Sequence, residues 1–358
     1  MIDPQEAGVS EQTWREATAP CHSLVVERIV EETHDSRSIV LAIPSELRET
    51  FRYKAGQFLS FKVPYEGQVL VRSYSLSSSP DVDSEIKVTV KRVDDGRISN
   101  LFNDRVEVGD ALMVVPPAGL FVLREQTRPI VLFAGGSGVT PVISIIKSAL
   151  HTTERNLSLL YANRDHRSII FEAELQDLVS RYPGRLTVEH SLDDTHGFID
   201  RERVERFSAG RHAADFYLCG PAVFMDLVEG ALADLSIPRD RVHIERFVSP
   251  PDSPSEAPAS EEGEAEAPES VTITLDGKTT EVVYTPGERV LDAAIRAGLD
   301  PPFSCQEGYC SCCMAKLLDG EVKMVLNDCL TDDLIEEGWV LTCQAVCVSG
   351  KVKIQYPD

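Results

Sequence analysis

Residues 249–270, SPPDSPSEAPASEEGEAEAPES, carry seven carboxylates, no Lys or Arg, and no aromatic or β-branched side chain. A segment of that composition cannot bury enough apolar surface to offset the entropy lost on ordering, so it reads as a linker. Whatever the chain folds into must close one core before residue 249 and another after residue 270. The length of 358 residues agrees, since it exceeds the usual size of one domain.

Upstream of the linker the apolar pattern changes once. Residues 1–22 read as a flexible arm, with Trp14 as its docking point. Over 23–125, short β-rich runs (CHSLVVERIVEET, SIVLAIP, QFLSFKVP, VRSYSLSSSP, EIKVTVKRV, ALMVVPPAGLFVL) are separated by turn residues at barrel-like spacing, which predicts an antiparallel β-barrel. Over 126–248, apolar strand runs alternate with helical periodicity from PIVLFAGGSGVTPVISIIKSAL to DFYLCGPAVFMDLVEGAL. That alternation predicts an α/β domain on a mostly parallel sheet. After the linker, VTITLDGKTTEVVYTPG reads as a hairpin, RVLDAAIRAGL as an amphipathic helix, and a cysteine-rich loop follows, giving an α+β unit over 271–358. The chain shows no internal repeat.

The formal charge of −23 has no basic counterweight. The linker contributes about −7, and residues 271–358, with 14 acidic against 7 basic side chains, about −7 more. A nucleic acid partner is therefore not expected, because phosphate binding needs a basic footprint. An acidic C-terminal unit suits either solubility or the steering of a basic protein partner. No apolar run approaches the roughly 18 residues of a membrane span, and MIDPQEAGVSEQTW lacks the basic-then-apolar start of a signal peptide. The expected location is the cytoplasm, where clustered cysteines bind metal or react more often than they pair.

Four of the nine cysteines stand between Cys305 and Cys313, whereas the first three hundred residues hold only two. Cys305, Cys310 and Cys313 are separated by four and two residues, and Cys343 follows far downstream. Three thiolates on one loop can wrap a cluster that a fourth, on a distant strand, closes. The pattern resembles the C-x4-C-x2-C…C arrangement of plant-type ferredoxins, and the resemblance implies a [2Fe–2S] cluster on these four ligands in a β-grasp fold over 271–358. Zinc, whose structural sites favour paired C-x2-C spacing, and free buried thiols are the competing readings. Gly308 would let the loop turn sharply. Cys312 is surplus to the register, and Cys329 and Cys347 read as small buried hydrophobes, Cys347 being near enough to Cys343 to substitute for it. Where ferredoxins commonly place Gly between the second and third ligands, this chain has Ser311.

RSYSLSS, Arg72 to Ser78, resembles the R-x-Y-S flavin motif of the ferredoxin–NADP reductase family. The resemblance implies FAD, with Arg72 as fork donor to the pyrophosphate, Tyr74 stacked on the isoalloxazine, Ser73 beside it, and Ser75 at the redox-active edge. An ordinary strand with an exposed Arg would look the same over four residues. The second segment, VKRVDDGRISNLF, matches the family's other phosphate turn: Lys91 opens it, and Gly96, Arg97, Ile98 and Ser99 enter a helix whose free N–H groups can receive phosphate. Ser99 suits the N-cap of that helix.

AGGSGVTP follows a strand and opens a helix. Gly135, Gly136 and Gly138 remove side chains from the path of a dinucleotide pyrophosphate, with Ser137, Thr140 and Pro141 completing the turn. YLCGPAVFM sets Cys219, Gly220 and Pro221 at the end of a late strand, matching the family's C-G-P motif beside the nicotinamide, although Cys219 alone would read as an inert core residue. YANRDHR brings Arg164 and Arg167 to the region where the family contacts the adenosine ribose, and HIERF brings Phe247 after the last strand.

Together the motifs resemble the three-part reductases of multicomponent oxygenases that carry their ferredoxin at the C-terminus. Within them the resemblance is strongest to reductase components of 3-ketosteroid 9α-hydroxylase-type Rieske oxygenases, followed by reductase subunits of phenylacetyl-CoA epoxidase. It implies a monomeric NAD(P)H-dependent reductase that passes electrons through FAD and [2Fe–2S] to a terminal oxygenase, with NADH the expected donor and NADPH possible. Tyr74, Ser75 and Cys219 would flank the reacting rings. Two readings of other kinds stay open: a zinc-stabilised interaction module without turnover, and a free-standing NAD(P)H oxidase or diaphorase.

Overall fold

The structure is a computed structural model that describes residues 4–18, 21–247, 268–299, 301–303, 308, 311–327, 330 and 332–357. It divides into two compact units, Met1–Phe247 and Val248–Asp358. Among the described residues no helix is long and apolar enough to cross a membrane. The linker expected over 249–270 lies outside the described residues but for Pro268–Ser270.

The first unit begins with helix α1 (Glu11–Thr18), so the arm expected to be flexible is in part regular structure. Trp14 lines a cavity of about 150 Å³ with Pro4, Phe61, Val63 and Met113, against the barrel wall. The barrel strands are β1 (His22–Thr33), β2 (Ser36–Ala42), β3 (Phe58–Tyr65), β4 (Gln68–Ser75), β5 (Ile86–Lys91) and β6 (Ala111–Ala118). They run antiparallel in the order β4-β3-β6-β1-β2-β5. A bridge between Leu76, just past β4, and Val88 of β5 closes the cylinder and removes the open edges. Glu66 and Gly67, both at positive φ, make the two-residue turn that fixes the β3–β4 register. Alternate residues (Leu59, Phe61, Val63 on β3; Val88, Val90 on β5) fill the interior, and α2 (Arg97–Asp104) adds Ile98 and Phe102 to it.

The second half of this unit is a parallel sheet of β7 (Ile130–Gly135), β8 (Leu157–Asn163), β9 (Leu186–Leu192), β10 (Asp215–Gly220) and β11 (Val242–Arg246), in the order β11-β10-β7-β8-β9. Helices α3 (Val139–Thr152) and α4 (Glu172–Arg181) pack on one face, while α6 (Arg201–Ser208) and α7 (Ala222–Asp234) pack on the other, after the short α5 (Asp193–His196). Cover on both faces explains why β7 and β10 are buried along their whole length and read as unbroken apolar runs. The strand order reverses between β7 and β10, which makes the ends of those two strands the switch point where such sheets bind ligands. At the opposite end, the buried Asp215 carboxylate is held by Arg128 at 2.8 Å and Arg155 at 2.5 Å, tying β10 to the connector from the barrel.

The second unit has a mixed sheet of β12 (Ser270–Leu275), β13 (Lys278–Val283), β14 (Met314–Asp319), β16 (Trp339–Leu341) and β18 (Val352–Gln355), ordered β13-β12-β18-β14-β16. A small ribbon of β15 (Val322–Met324) and β17 (Ala345–Cys347) accompanies it. Helices α8 (Val290–Arg296) and α9 (Asp332–Glu336) complete the α+β fold. The β12–β13 hairpin turns on Asp276 and Gly277, again both at positive φ. The parallel pairing of β12 with β18 lets α8, with Val290, Ala293 and Ala294, cover the sheet.

Candidate functional site

The flavin motif occupies the last turn of the barrel wall. Arg72 is half-buried on β4, and its Nη1 donates to the Val71 carbonyl at 2.7 Å. The Tyr74 ring packs between Phe61 and Phe102 at centroid distances of 5.9 and 5.4 Å, so it is a fixed aromatic platform. Burial raises its hydroxyl above the ordinary phenol range, with the Arg72 guanidinium opposing. Ser73 shares a 2.8 Å hydrogen bond with Ser60. Ser75 is buried, and its hydroxyl is not taken up by any hydrogen bond among the described residues.

Helix α2 starts at Arg97, with Gly96 at the N-cap and no side chain capping it. Its first N–H groups are therefore available to an anion. Here the expectation for Ser99 is corrected: it sits in the third helical position, and its Oγ accepts from the Val93 N–H at 3.3 Å. That hydroxyl explains the glycine, because a Cβ at Gly96 would lie 2.3 Å from it. An arginine, an aromatic platform, a free hydroxyl and an uncapped helix start together form a donor set that fits a flavin dinucleotide.

The glycine turn after β7 and the C-G-P turn after β10 meet at the switch point. A Cβ at Gly138 would stand 2.1 Å from the Cys219 carbonyl oxygen, and one at Gly135 would stand 2.8 Å from Pro221 Cδ. Gly138 thus allows two protein backbones to touch and Gly135 makes room for the Pro221 ring, whereas the expected reason was access for pyrophosphate. Gly136 differs: its φ is +51°, and the nearest atom to a Cβ there would be Lys91 Nζ at 3.9 Å, so this position is open. Tyr161 Oη donates to the Gly136 carbonyl at 3.0 Å, and Thr140 Oγ1 donates to the Ser137 carbonyl at 2.9 Å, which fixes the turn from beneath. Pro141 falls in the first turn of α3, where a missing N–H costs nothing. Cys219 is fully buried, and burial pushes its thiol well above the ordinary value, so it is a neutral thiol. Phe247, just past β11, is 45% exposed.

Barrel and sheet are fastened by contacts that the sequence reading did not foresee. Ser144 Oγ on α3 donates to the Ser78 carbonyl at 2.6 Å, and Ser79 and Ser148 share a 2.7 Å hydrogen bond. Lys147, between those two serines, reaches Asp83 at 2.5 Å and Glu174 at 2.7 Å. Arg164 reaches back to the barrel, to Asp35 at 2.7 Å, with Lys91 3.7 Å from the same carboxylate. Arg167 is exposed and in no ion pair among the described residues. Glu245 was also missed. Half-buried on β11, it pairs in register with Cys219, and burial pushes its carboxyl up to about 8.

In the second unit the structure brings Cys313 and Cys343 together, while Cys305, Cys310 and Cys329 lie outside the described residues. Both described thiols belong to one buried apolar cluster with Leu291, Met314, Leu330 and Leu341. The Cys313 thiol hydrogen-bonds Cys343 and holds it below the ordinary thiol range, helped by the Gly308 N–H and the Gln344 amide. Gly308 has φ +80°, as the sharp turn requires. Ser311 has φ +52°, the left-handed region that glycine occupies without strain, at a cost of roughly 1 kcal/mol for an L residue. Cys312 is buried beside Cys313. Cys347 faces the other core, with Tyr284 and Val271, and burial pushes its thiol up to about 11. Two thiols held together beside a backbone N–H and an amide, in a loop kinked at Gly308 and Ser311, fit the thiolate donor set of an iron–sulfur cluster.

Three family models match the chain in succession. They are an oxidoreductase FAD-binding domain over residues 23–123, an oxidoreductase NAD-binding domain over 132–230 and a 2Fe-2S iron-sulfur cluster binding domain over 273–348. The 3-ketosteroid-9-alpha-monooxygenase ferredoxin reductase component of Rhodococcus rhodochrous is 42% identical over 339 residues, covering 93% of this chain and 96% of its own. A 1,2-phenylacetyl-CoA epoxidase subunit of Escherichia coli (strain K12) is 35% identical, covering 94% and 97%. Among solved structures, phthalate dioxygenase reductase shares the fold, with a TM-score of 0.58 at 24% identity over 99% of each chain.

Proposed function

The chain belongs to the family of oxygenase ferredoxin reductase components, NAD(P)H-dependent oxidoreductases with FAD-, NAD- and [2Fe–2S]-binding domains, and from that premise we propose that it carries electrons from NADH to the terminal oxygenase of a 3-ketosteroid 9α-hydroxylase-type system. The observation that carries the steroid assignment is 42% identity along nearly the whole length, against 35% to the epoxidase subunit. Three matched cofactor domains leave the zinc-module reading without support. The same reading keeps the reductase a cytoplasmic monomer, with the FAD domain over 23–125, the nucleotide domain over 126–248, and the ferredoxin domain over 271–358 joined by the acidic linker.

FAD, when bound, supplies the conversion between a two-electron hydride donor and a one-electron acceptor. The chain's residues supply placement. Arg72, with Lys91 near the seam, and the N–H groups of Arg97 and Ile98 hold the pyrophosphate; Tyr74 supports the ring, and Ser75 offers its unpartnered hydroxyl to the ring edge. On the nucleotide side, Gly136, Ser137 and the start of α3 receive the second pyrophosphate. Cys219, Gly220 and Pro221 floor the nicotinamide site, with Phe247 at its rim. Neutrality of the Cys219 thiol suits this role, since a thiolate beside a hydride donor would add charge with no proton to move.

The coupling test is direct. With this reductase, the oxygenase of a 3-ketosteroid 9α-hydroxylase should accelerate NADH consumption and hydroxylate a 3-ketosteroid with matching stoichiometry. Acceleration by a phenylacetyl-CoA epoxidase oxygenase alone would overturn the steroid assignment.

The preference for NADH rests on Arg164. An arginine held by Asp35 at 2.7 Å offers less to a 2′-phosphate, and the Asp35 carboxylate repels one. The expected ratio of kcat/KM is tenfold or more in favour of NADH, about 1.4 kcal/mol. Asp35→Asn should narrow it by raising kcat/KM for NADPH, and comparison of both nucleotides with wild type and variant checks both statements.

A further inference from the structure

Four polar residues form a row across the outer face of the barrel. Ser77 lies just past β4, Thr89 on β5, Ser38 on β2 and Glu32 on β1. Ser38 and Thr89 are directly opposed cross-strand partners. Ser77 and Thr89 hydroxyls are 2.7 Å apart, Thr89 and Ser38 hydroxyls 2.7 Å apart, and Ser38 Oγ donates to Glu32 Oε1 at 2.5 Å. Ser77 and Ser38 are fully buried and Thr89 is 3% exposed, whereas Glu32 is half-buried.

The direction of these bonds is determined. A hydroxyl has one proton to donate, and Ser38 directs its own to the carboxylate. Thr89 must then donate to Ser38, and Ser77, whose hydroxyl also lies 3.3 Å from the Lys87 carbonyl, donates to Thr89 over the shorter, 2.7 Å contact. The row is thus a hydrogen-bonded chain of single polarity ending at a group that can take up a proton. β-branched apolar residues would stabilise a buried cross-strand row better if fastening were its only use.

The proposed reaction needs such a path. A hydride is one proton and two electrons; once both electrons have passed singly to the iron–sulfur domain, one proton per NADH is left at the flavin edge. We propose that the row Ser77–Thr89–Ser38–Glu32 conducts this proton from beside Ser75 to solvent, an inference that rests on the reductase reading above. Ser75 and Ser77 are two apart on an extended segment, so they face the same side with Cα atoms roughly 7 Å apart, an interval that one water can bridge. At the outer end, Lys87, Arg28 and Glu174 face Glu32. Glu174 is partly exposed and salt-bridged to Lys147 and Lys87, so it offers the next carboxylate towards bulk water. Burial raises the Glu32 carboxyl above its ordinary range, against the Ser38 hydrogen bond and Lys87, which suits a group that must hold the proton briefly.

The test uses the full chain loaded with FAD and cluster, in stopped-flow with a pH-indicator dye. Thr89→Val should leave flavin reduction by NADH unchanged. It should slow proton appearance during reoxidation by ferricyanide about a hundredfold, the lower end of what loss of a positioned acid–base group costs. Thr89→Ser should restore it. A second reading is infrared: the redox difference spectrum should hold a carboxyl band that shifts in D2O and is absent in Glu32→Gln. Flavin content and thermal unfolding of each variant report folding, and Glu32→Gln replaces Thr89→Val if the latter does not fold. Proton appearance as fast in Thr89→Val as in wild type, or as slow in Thr89→Ser as in Thr89→Val, would overturn the proposal. So would slowing by Glu245→Gln alone, which would assign the exit to the other side of the cleft. A wild-type chain that takes no hydride from NADH would instead overturn the reductase reading itself.

Discussion

Cys313→Ser is expected to abolish the visible absorption of the [2Fe–2S] cluster and the delivery of electrons to an oxygenase, while NADH-driven dye reduction stays within about twofold of wild type. Cys313 is nearly inaccessible, hydrogen-bonds Cys343, and has its carbonyl fixed by both the Thr342 N–H at 3.2 Å and Thr342 Oγ1 at 2.9 Å. A serine there would keep the backbone in place and replace a soft thiolate by a hydroxyl that does not ionise near neutral pH. Folding should survive, because the larger core of the second unit, around Val271, Tyr284 and Ile354, does not include Cys313. The dye reaction should survive because the FAD- and NAD-binding domains lie wholly within the first compact unit. Cys312→Ala is the control, expected to retain the cluster spectrum. A normal spectrum in Cys313→Ser would move the ligand assignment to Cys312.

What could be read from the sequence followed the range of the interaction. The hairpin turning on Asp276–Gly277, the unbroken apolar strands β7 and β10, and the amphipathic α8 are decided by neighbours in the chain, and each appears where its pattern predicts it. Ser99 shows the limit. Its type suits an N-cap, but the helix begins two residues earlier, and the hydroxyl serves Val93, an outcome set by the fold of the preceding turn. Ser78 reads as the tail of a flavin motif, and with Ser79 it also fastens barrel to sheet, because their partners Ser144 and Ser148 stand 66 and 69 residues away. Pairings of that separation leave no periodicity to read. Glu245 was hidden for a related reason: in the mixed strand VHIER a carboxylate looks ordinary until its register partner across the sheet is known to be the fully buried Cys219.

Gly138→Ala is expected to lower kcat/KM for NADH by about a hundredfold, with FAD content and the cluster spectrum unchanged, since a displacement near 1 Å at a reacting site costs on that order. The backbone angles of Gly138, φ −60° and ψ −11°, suit alanine, so the effect has no conformational component. It is steric. The added Cβ would lie 2.1 Å from the carbonyl oxygen of Cys219, 2.4 Å from its carbon and 2.7 Å from Gly220 N. All three are backbone atoms at the end of β10, and that strand cannot retreat sideways because β7 and β11 flank it, paired through Cys219 on both sides. Relief must come from parting the glycine turn and the C-G-P turn, the two walls of the proposed nucleotide site. Gly136→Ala separates this explanation from a general intolerance of side chains in the turn. Its φ of +51° imposes strain of roughly 1 to 2 kcal/mol, but the nearest atom to the new methyl would be the movable Lys91 ammonium at 3.9 Å. Its loss of kcat/KM should be no more than about tenfold, the smaller of the two. Equal losses in both variants would mean that the turn itself, and not its contact with β10, controls access of the nucleotide. Retention of wild-type kcat/KM by Gly138→Ala would mean that the two turns can separate without disturbing the nicotinamide.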